Sequence, residues 1–544
     1  MKDPAQERLI REITEEVVRI TRKYGGLLWG EHGKGVRSEF SPRFFGPLYP
    51  ILQSIKAAFD PRNQLNPGKI AAPEDGQLLT IDGLTTRGQL DRTIPTSVRA
   101  AYDEALHCNG NGACFSWDSD EAMCPSYKAT RDRRHSPKGR ASLIREWLRQ
   151  LAALGVDPES EAAVLRRGSA WRHFPAKLRN SLAREPDFSH AVKEAMDGCL
   201  ACKSCSGQCP IKVDVPTFRA KFLEVYHGRY LRPLRDHLVG SLESMLPALG
   251  KMRWLYNLAI DSPPGRAAMR AIGLVHTPKF AQVSIRRELA ARGIAVATPE
   301  LLAALTVEQR ARSVVLVQDA FTSWYEPRIV LAVLDLIQAI GFRPFIAPFR
   351  PNGKPLHVHG FLGAFARAAS RNSGMLRDLA ASGVELVGVD ASMTLTYRSE
   401  YGMLADADRP PPVFLLQEWL ARRCDAIPKT GAGAEYLLLP HCSERSLALP
   451  SLRNWQAAFA AAGADLRILP SGCCGMAGTY GHEAEHRATS EQIYGMSWGP
   501  QVNKWARSGR LLATGYSCRS QVKIMDDQPL LHPAEALLAC LRSR

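Results

Sequence analysis

Residues 199–216 read CLACKSCSGQCPIKVDVP, and Cys199, Cys202, Cys205 and Cys209 fall in the pattern CxxCxxCxxxCP. No other feature constrains the chain as much. Three thiolates from one tight loop can grip three irons of a four-iron cubane, while the fourth, redirected by Pro210, points away to a second cluster. Zinc is the main alternative occupant. The exchange of ligands requires a second half-motif, and the candidate is CNGNGACFSWDSDEAMCP at 108–125. Its Cys124-Pro125 would complete the cluster of Cys199, Cys202 and Cys205, and Cys209 would join Cys108 and Cys114. That second set has only three thiolates, because Asn111 stands where a regular motif carries its middle cysteine. It would hold a three-iron cluster, or a four-iron cluster with one iron on a non-thiolate ligand. Asp118 and Asp120 lie in the intervening loop, where solvated side chains are the plainer reading.

The thirteen cysteines form two groups, 108–209 and 442–518, with Cys424 and Cys540 apart. The amino terminus MKDPAQERLIREITEE has no apolar signal core, and no run approaches the roughly 18–20 apolar residues that span a bilayer. The expected address is therefore the cytoplasm, and the clustered thiols read as metal ligands, not a disulfide framework. The formal charge of +16 is spread along the chain, densest in KATRDRRHSPKGR at 128–140. Without a zinc-finger or RNA-binding signature, that charge excludes nucleic acid as the expected partner and leaves an acidic protein, an anionic substrate or the inner membrane surface.

A chain of 544 residues exceeds one core. Helical spacing of Leu9, Ile10, Ile13, Val17 and Ile20 predicts a helix over 3–24, and another is expected at 47–59. Polar, turn-rich residues 71–95 read as a linker. Residues 96–235 carry seven cysteines between helical segments such as GRASLIREWLRQLAAL, and 236–308 continue as a helical connector. From 309 the texture becomes α/β. SVVLV, a helical segment and FRPFIAP are followed, 122 residues later, by EYLLLP, a helical segment and DLRILP. This is a tandem repeat, 309–430 and 431–544, in which Asp319 of the first copy is expected opposite Cys442 of the second, and Pro351 and Asn352 near Cys473 and Cys474.

The 108–125 half-motif resembles the iron–sulfur subunit of succinate dehydrogenase and fumarate reductase, where a cysteine pair five residues apart helps hold a three-iron cluster. The segments PHC, SGCCGMAG and GYSC gather Cys442, Cys473, Cys474 and Cys518. They resemble the cysteine-rich CCG domain of heterodisulfide reductases, glycolate oxidase iron–sulfur subunits and the electron-transfer subunit of anaerobic glycerol-3-phosphate dehydrogenase. The resemblance implies zinc or a noncubane cluster on these thiols; without metal they would be structural or redox-active. His441 and His482 are nearby in sequence.

YGGLLWGEHGKGVRSEF with FDPRNQLNPGKI resembles the final segment of flavin-linked oxidases of the vanillyl-alcohol oxidase type. In D-lactate and D-2-hydroxyglutarate dehydrogenases of that type, the resemblance implies that Glu31 helps bind a divalent metal. It implies that His32 acts on the proton of a 2-hydroxyl group, and that Gly30, Gly33 and Gly35 let the backbone approach the FAD. Asn66 and Lys69 belong to the same tail motif without an assigned role. Taken whole, and with HSPKGRASLIREWL, the chain resembles the carboxy-terminal half of the large bacterial D-2-hydroxyglutarate dehydrogenase-type fusion of flavin oxidase, ferredoxin and CCG domains.

The expected fold class is α+β multidomain. A fragment of a FAD-linked oxidase domain (1–75) precedes a helical ferredoxin-like iron–sulfur domain (96–235), the connector (236–308), a degenerate CCG-like repeat (309–430) and a CCG repeat (431–544). The expected role is electron transfer from FAD to a quinone or carrier protein. Expected partners are a FAD-binding domain or subunit, that acceptor, a second copy of the chain, and the inner membrane face as a peripheral surface. The competing readings are a non-catalytic iron–sulfur or zinc assembly module and thiol-disulfide chemistry at the CCG cysteines.

Overall fold

The computed structural model describes residues 4–28, 30, 32, 35–83, 85, 87–167, 174–183, 186–430 and 433–542. The chain divides into two compact units, residues 1–99 with 148–156, and residues 100–147 with 157–544.

In the first unit the predicted opening helix runs Pro4–Lys23. Its apolar stripe, Leu9, Ile13, Val17 and Ile20, is exposed, and the small core consists of Val18, Leu28 and Phe40. The second predicted helix, Tyr49–Phe59, likewise exposes Ile51, Ile55 and Phe59. Asp60 ends it and organises the following turn, accepting from Lys56 Nζ at 2.5 Å and from the Gln64 and Leu65 amides at 2.9 and 2.8 Å. Those bonds hold its carboxyl down to about 2. The stretch expected as a linker is more ordered than its composition suggests. Leu79 exchanges backbone bonds with Gly68 and Glu39, and Ile81 donates to the Glu39 carboxylate, because that carboxylate needs the partners.

The second unit begins with helices. Asp187 caps Phe188–Asp197, and Asp214 caps Val215–Arg229 by accepting the Thr217 amide. Tyr102, Trp147 and Phe222 meet edge to face, with ring centroids 6.1 and 5.1 Å apart along the series, and form the centre of the helical region. Helices Leu234–Leu249, Arg253–Asp261 and Pro263–Ala271 follow.

Two parallel sheets complete the unit. The first contains β1 (Ser313–Val317), β2 (Arg343–Ile346), β3 (Glu385–Gly388) and β4 (Val413–Leu415), in the order β2-β1-β3-β4. The second contains β5 (Glu435–Leu439), β6 (Asp465–Ile468) and β7 (Leu511–Ala513), in the order β6-β5-β7. Each opening strand is flanked by the next two in the same way, Val314 pairing with Pro344 and Glu385, and Leu438 with Ile468 and Leu512. Parallel neighbours require crossovers, which helices such as Pro327–Ala339 and Ser451–Ala461 supply. The β1 run SVVLV is buried at every position, as expected of a strand covered on both faces. Val314, Trp419, Leu438 and Phe459 belong to one continuous core, so the sheets share a hydrophobic interior.

The strand-helix junctions correct the sequence superposition by one residue. Asp319 caps the helix after β1, and His441, not Cys442, caps the helix after β5. Ala320 therefore stands where Cys442 stands, because each helix starts directly after its cap.

Candidate functional site

Cys124, Cys199, Cys202 and Cys205 line one small cavity of about 20 Å³, closed by Pro125, Arg140, Val215 and Pro216. Two loops 75 residues apart in sequence are thus brought to a single point. The backbone bends sharply there. Cys124 has φ 38°, and Ala201 and Lys203, on either side of Cys202, have φ 52° and 61°. Left-handed residues without glycine cost about 1–3 kcal/mol each and cluster at functional sites. Burial pushes the Cys124 and Cys202 thiols up to about 12 and Cys205 well above its usual range. Thiols so placed ionise only when a cation compensates them.

The charges around this cavity are placed in advance. Arg140 is wholly buried, donates to Ala195 O at 2.7 Å, Ser126 Oγ at 3.0 Å and the His135 carbonyl, and lies 3.9 Å from Cys124 Sγ. Lys203 is buried on Asp214 at 2.6 Å and Thr217 at 3.0 Å. No three of the cysteine sulfurs lie within 4.8 Å of one another; among the described residues the group that does so is Glu483, Glu485 and His486. A single tetrahedral zinc would need sulfurs about 3.8 Å apart. The donor set fits a cubane, whose irons take one thiolate each at separate corners.

Cys108 and Cys114 are buried near each other, with Ser136 and Lys138 beside Cys114; the Ser136 hydroxyl donates to Arg133 O at 2.7 Å. Cys209 follows helix Ser204–Gln208, its amide bonded to Cys205 O at 3.2 Å. Asn111 accepts the Ala113 amide at 2.9 Å in a local turn, and Asp118 is exposed and accepts the Asp120 amide. Neither aspartate joins a group of converging ligand atoms. The stretch HSPKGR thus lies by both cysteine sets, bonded to Cys124 through His135 O and Arg140, with Ser136 and Lys138 near Cys114. Within the basic run at 128–140, Lys128 and Arg140 are buried.

Cys442, Cys473, Cys474 and Cys518 are buried close to one another, and the Cys473 sulfur accepts the Gly475 amide at 3.4 Å. Burial and the neighbouring thiols together push Cys442, Cys473 and Cys474 well up, and burial raises Cys518. No three of their sulfurs lie within 4.8 Å of one another. His441 accepts the Ser443 amide on Nδ1 at 3.1 Å and meets Ser517 Oγ through Nε2 at 3.3 Å. Burial pushes its imidazole down to about 4. His482 is buried, and its carbonyl accepts the Val275 amide at 2.7 Å.

The two cysteine regions meet, which their sequence separation did not reveal. Cys442 and Cys473 pack with Leu200, Ala122 and Cys202 in one apolar cluster. Ser443 Oγ donates to Cys202 O at 3.4 Å, Ser446 Oγ meets Ser204 Oγ at 3.1 Å, and Arg445 donates to Asp120 O at 2.8 Å. These loops follow the carboxyl ends of β5, β6 and β7, where open parallel sheets place ligands.

Of the residues read as flavin-side, Glu31 and Gly33 lie outside the described residues. Gly30 and Gly35 both take φ 55°, with open space where a side chain would project, and His32 is exposed.

Residues 1–70 match the family of FAD linked oxidases, C-terminal domain, and residues 104–213 match a 4Fe-4S dicluster domain. Over 99% of its length the chain is 50% identical to the D-2-hydroxyglutarate dehydrogenase of Pseudomonas putida KT2440, covering 54% of that protein. The enzyme of the same name from Escherichia coli K12 is 47% identical over 100% of the chain, with 54% of the relative covered. One subunit of the anaerobic glycerol-3-phosphate dehydrogenase of Escherichia coli K12 is 24% identical over 41% of the chain and 57% of its own length. No solved structure matches. The chain spans about half the length of the curated relatives it matches along its whole course. It carries the end of a FAD-linked oxidase domain followed by a 4Fe-4S dicluster domain, as the sequence motifs implied.

Proposed function

We propose that this chain is the electron-transfer portion of a flavin-dependent D-2-hydroxyacid dehydrogenase acting on D-2-hydroxyglutarate or a D-lactate-type substrate. The observation that carries the reading is the meeting of Cys124 with Cys199, Cys202 and Cys205 around one cavity, directly against the buried thiol series. Cys108, Cys114 and Cys209 would hold the second cluster. The two sheets are read as CCG repeats, the first without thiols, and Cys442, Cys473, Cys474 and Cys518 as the residues of the second that would hold a noncubane cluster. When bound, FAD accepts hydride from C2 of the substrate, and iron–sulfur clusters carry single electrons. The chain's own residues bury the ligand thiols, exclude water and fix Arg140 beside Cys124, which favours the more negative, reduced state of whatever Cys124 ligates.

His32 is the residue proposed to take the 2-hydroxyl proton, and Glu31 the one proposed to help hold a divalent metal. Both need a FAD-binding domain or subunit. The exposed apolar faces of Pro4–Lys23 and Tyr49–Phe59 support such a partner, since monomeric surfaces rarely leave apolar stripes of this length uncovered.

The test is anaerobic purification followed by iron and sulfide analysis and electron paramagnetic resonance. Two clusters predict about seven to eight irons per chain with a reversible reduced signal. Fewer than about six irons after reconstitution, or zinc without reversible reduction, would replace this reading with that of a structural assembly module.

A further inference from the structure

A second cavity, of about 90 Å³, lies among the loops that follow both sheets. Leu200, Val239, Leu242, Val358 and Met393 give it apolar walls, and Cys202 and Cys442 both reach it. Its fixed charges are already satisfied. Lys354 spends its ammonium hydrogens on Ser392 O, Thr396 Oγ1 and Glu400 Oε1 at 3.1, 3.2 and 3.3 Å. Asp390 accepts the Met393 amide at 3.2 Å on one oxygen and the Tyr516 amide at 2.9 Å on the other.

One donor is left over. The Ser443 amide can only donate, so Nδ1 of His441 must accept and the ring proton must sit on Nε2, which gives it to Ser517 Oγ. The Ser517 hydroxyl hydrogen is then free of His441, and among the described residues no acceptor takes it. Ser517 lines the cavity and is buried.

We propose that this cavity binds the ring of a quinone, one carbonyl oxygen accepting from Ser517 and the ring lying on the apolar walls beside Cys442. An anionic acceptor would bring an uncompensated charge into a site whose lysine and aspartate are already paired. A disulfide would offer the hydroxyl only weak sulfur acceptors. The proposal rests on the electron-transfer reading above for its purpose. The 2-hydroxy acid releases two electrons, which reach the quinone, and two protons, which go to solvent, as it becomes a 2-oxo acid; the quinone takes two protons from water, and its two ring C=O bonds become C–OH.

The experiment is equilibrium dialysis of ubiquinone-1 against the anaerobically purified full chain, with redox titration of the same preparation. Saturable binding of one equivalent is expected. Ser517→Ala, which changes one atom, should weaken it about fivefold, and Leu242→Trp, which fills the cavity, should abolish it. Absence of saturable binding to the wild-type chain, or equal affinity in Ser517→Ala, overturns the site; the latter variant decides if Leu242→Trp does not fold. Quinone binding to a chain without reducible iron–sulfur centres would support the site and sink the electron-transfer reading. Reducible centres without quinone binding would do the reverse.

Discussion

Gly207 and Ser446 leave no space between them: a β-carbon on Gly207 would lie 2.0 Å from the Ser446 carbonyl oxygen. Gly207 sits in helix Ser204–Gln208, between Cys205 and Cys209, and Ser446 in helix Cys442–Leu447, which begins with Cys442. Backbone cannot retreat as a flexible side chain can. Gly207→Ala should therefore lower stability by about 2–3 kcal/mol, the cost of overpacking a close contact. Gly495→Ala, with open space at its β position, should be neutral or raise it by about 0.5–1 kcal/mol. Differential scanning calorimetry of the two variants checks the contrast.

Cys124→Ala should remove about four irons per chain and leave the second set occupied, if Cys124 completes the cubane of Cys199, Cys202 and Cys205. Cys424→Ala, at a half-buried thiol outside both groups, should leave iron content unchanged. Iron analysis after anaerobic reconstitution reads both.

Arg140 places a fixed positive charge 3.9 Å from Cys124 Sγ. Arg140→Met should lower the midpoint potential of the cluster on Cys124, because the added electron loses that attraction. An interaction of about 1.4 kcal/mol corresponds to about 59 mV for one electron. Arg140→Lys should recover part of the shift. Potentiometric titration with paramagnetic resonance detection measures the order.

Glu243 is buried in helix Leu234–Leu249 and accepts the Gly353 amide at 2.6 Å. Burial raises its carboxyl from 4.5 to about 7, with Asp319 raising it further and Lys354 opposing. The folded state therefore holds this proton more tightly than the unfolded state. Its stabilising effect is complete below about pH 4.5, falls as pH rises through the window from 4.5 to 7, and is gone above it, a loss of about 3 kcal/mol. Glu243→Gln should flatten the decline in melting temperature between pH 5 and 8, while the carboxyl of Asp319, itself raised to about 6 chiefly by burial and then by Asp390, keeps some slope in both proteins.

Ile13→Ser with Ile20→Ser should reduce dye binding to exposed apolar surface and delay aggregation with little loss of melting temperature, because both side chains are exposed on Pro4–Lys23. The same pair should weaken co-purification of a FAD-binding domain if that domain covers the stripe.

Local order was legible in the sequence. Helical spacing placed Pro4–Lys23 and Tyr49–Phe59, and alternation of apolar runs with helices placed β1, β2, β5 and β6 within a residue or two. The superposition of the repeats slipped by one residue at Asp319, since a cap and a cysteine look alike as punctuation until the helix start is known. The basic run at 128–140 was legible only as charge: charge is a property of composition, whereas the burial of Lys128 and Arg140 depends on which carbonyls and sulfurs surround them.

The sequence by itself determined the chemistry of the chain. Cysteine spacing, the proline after a ligand and the EHG segment are short-range patterns, and ligand geometry acts over a few residues. What the tertiary structure decided was adjacency. Cys202 and Cys442 share a cavity, and Ser517 lines it with a spare hydroxyl hydrogen, because parallel strands joined by long crossovers gather at one end loops that lie far apart along the chain. No local pattern encodes that meeting, since it is set by the packing of two sheets on a common core.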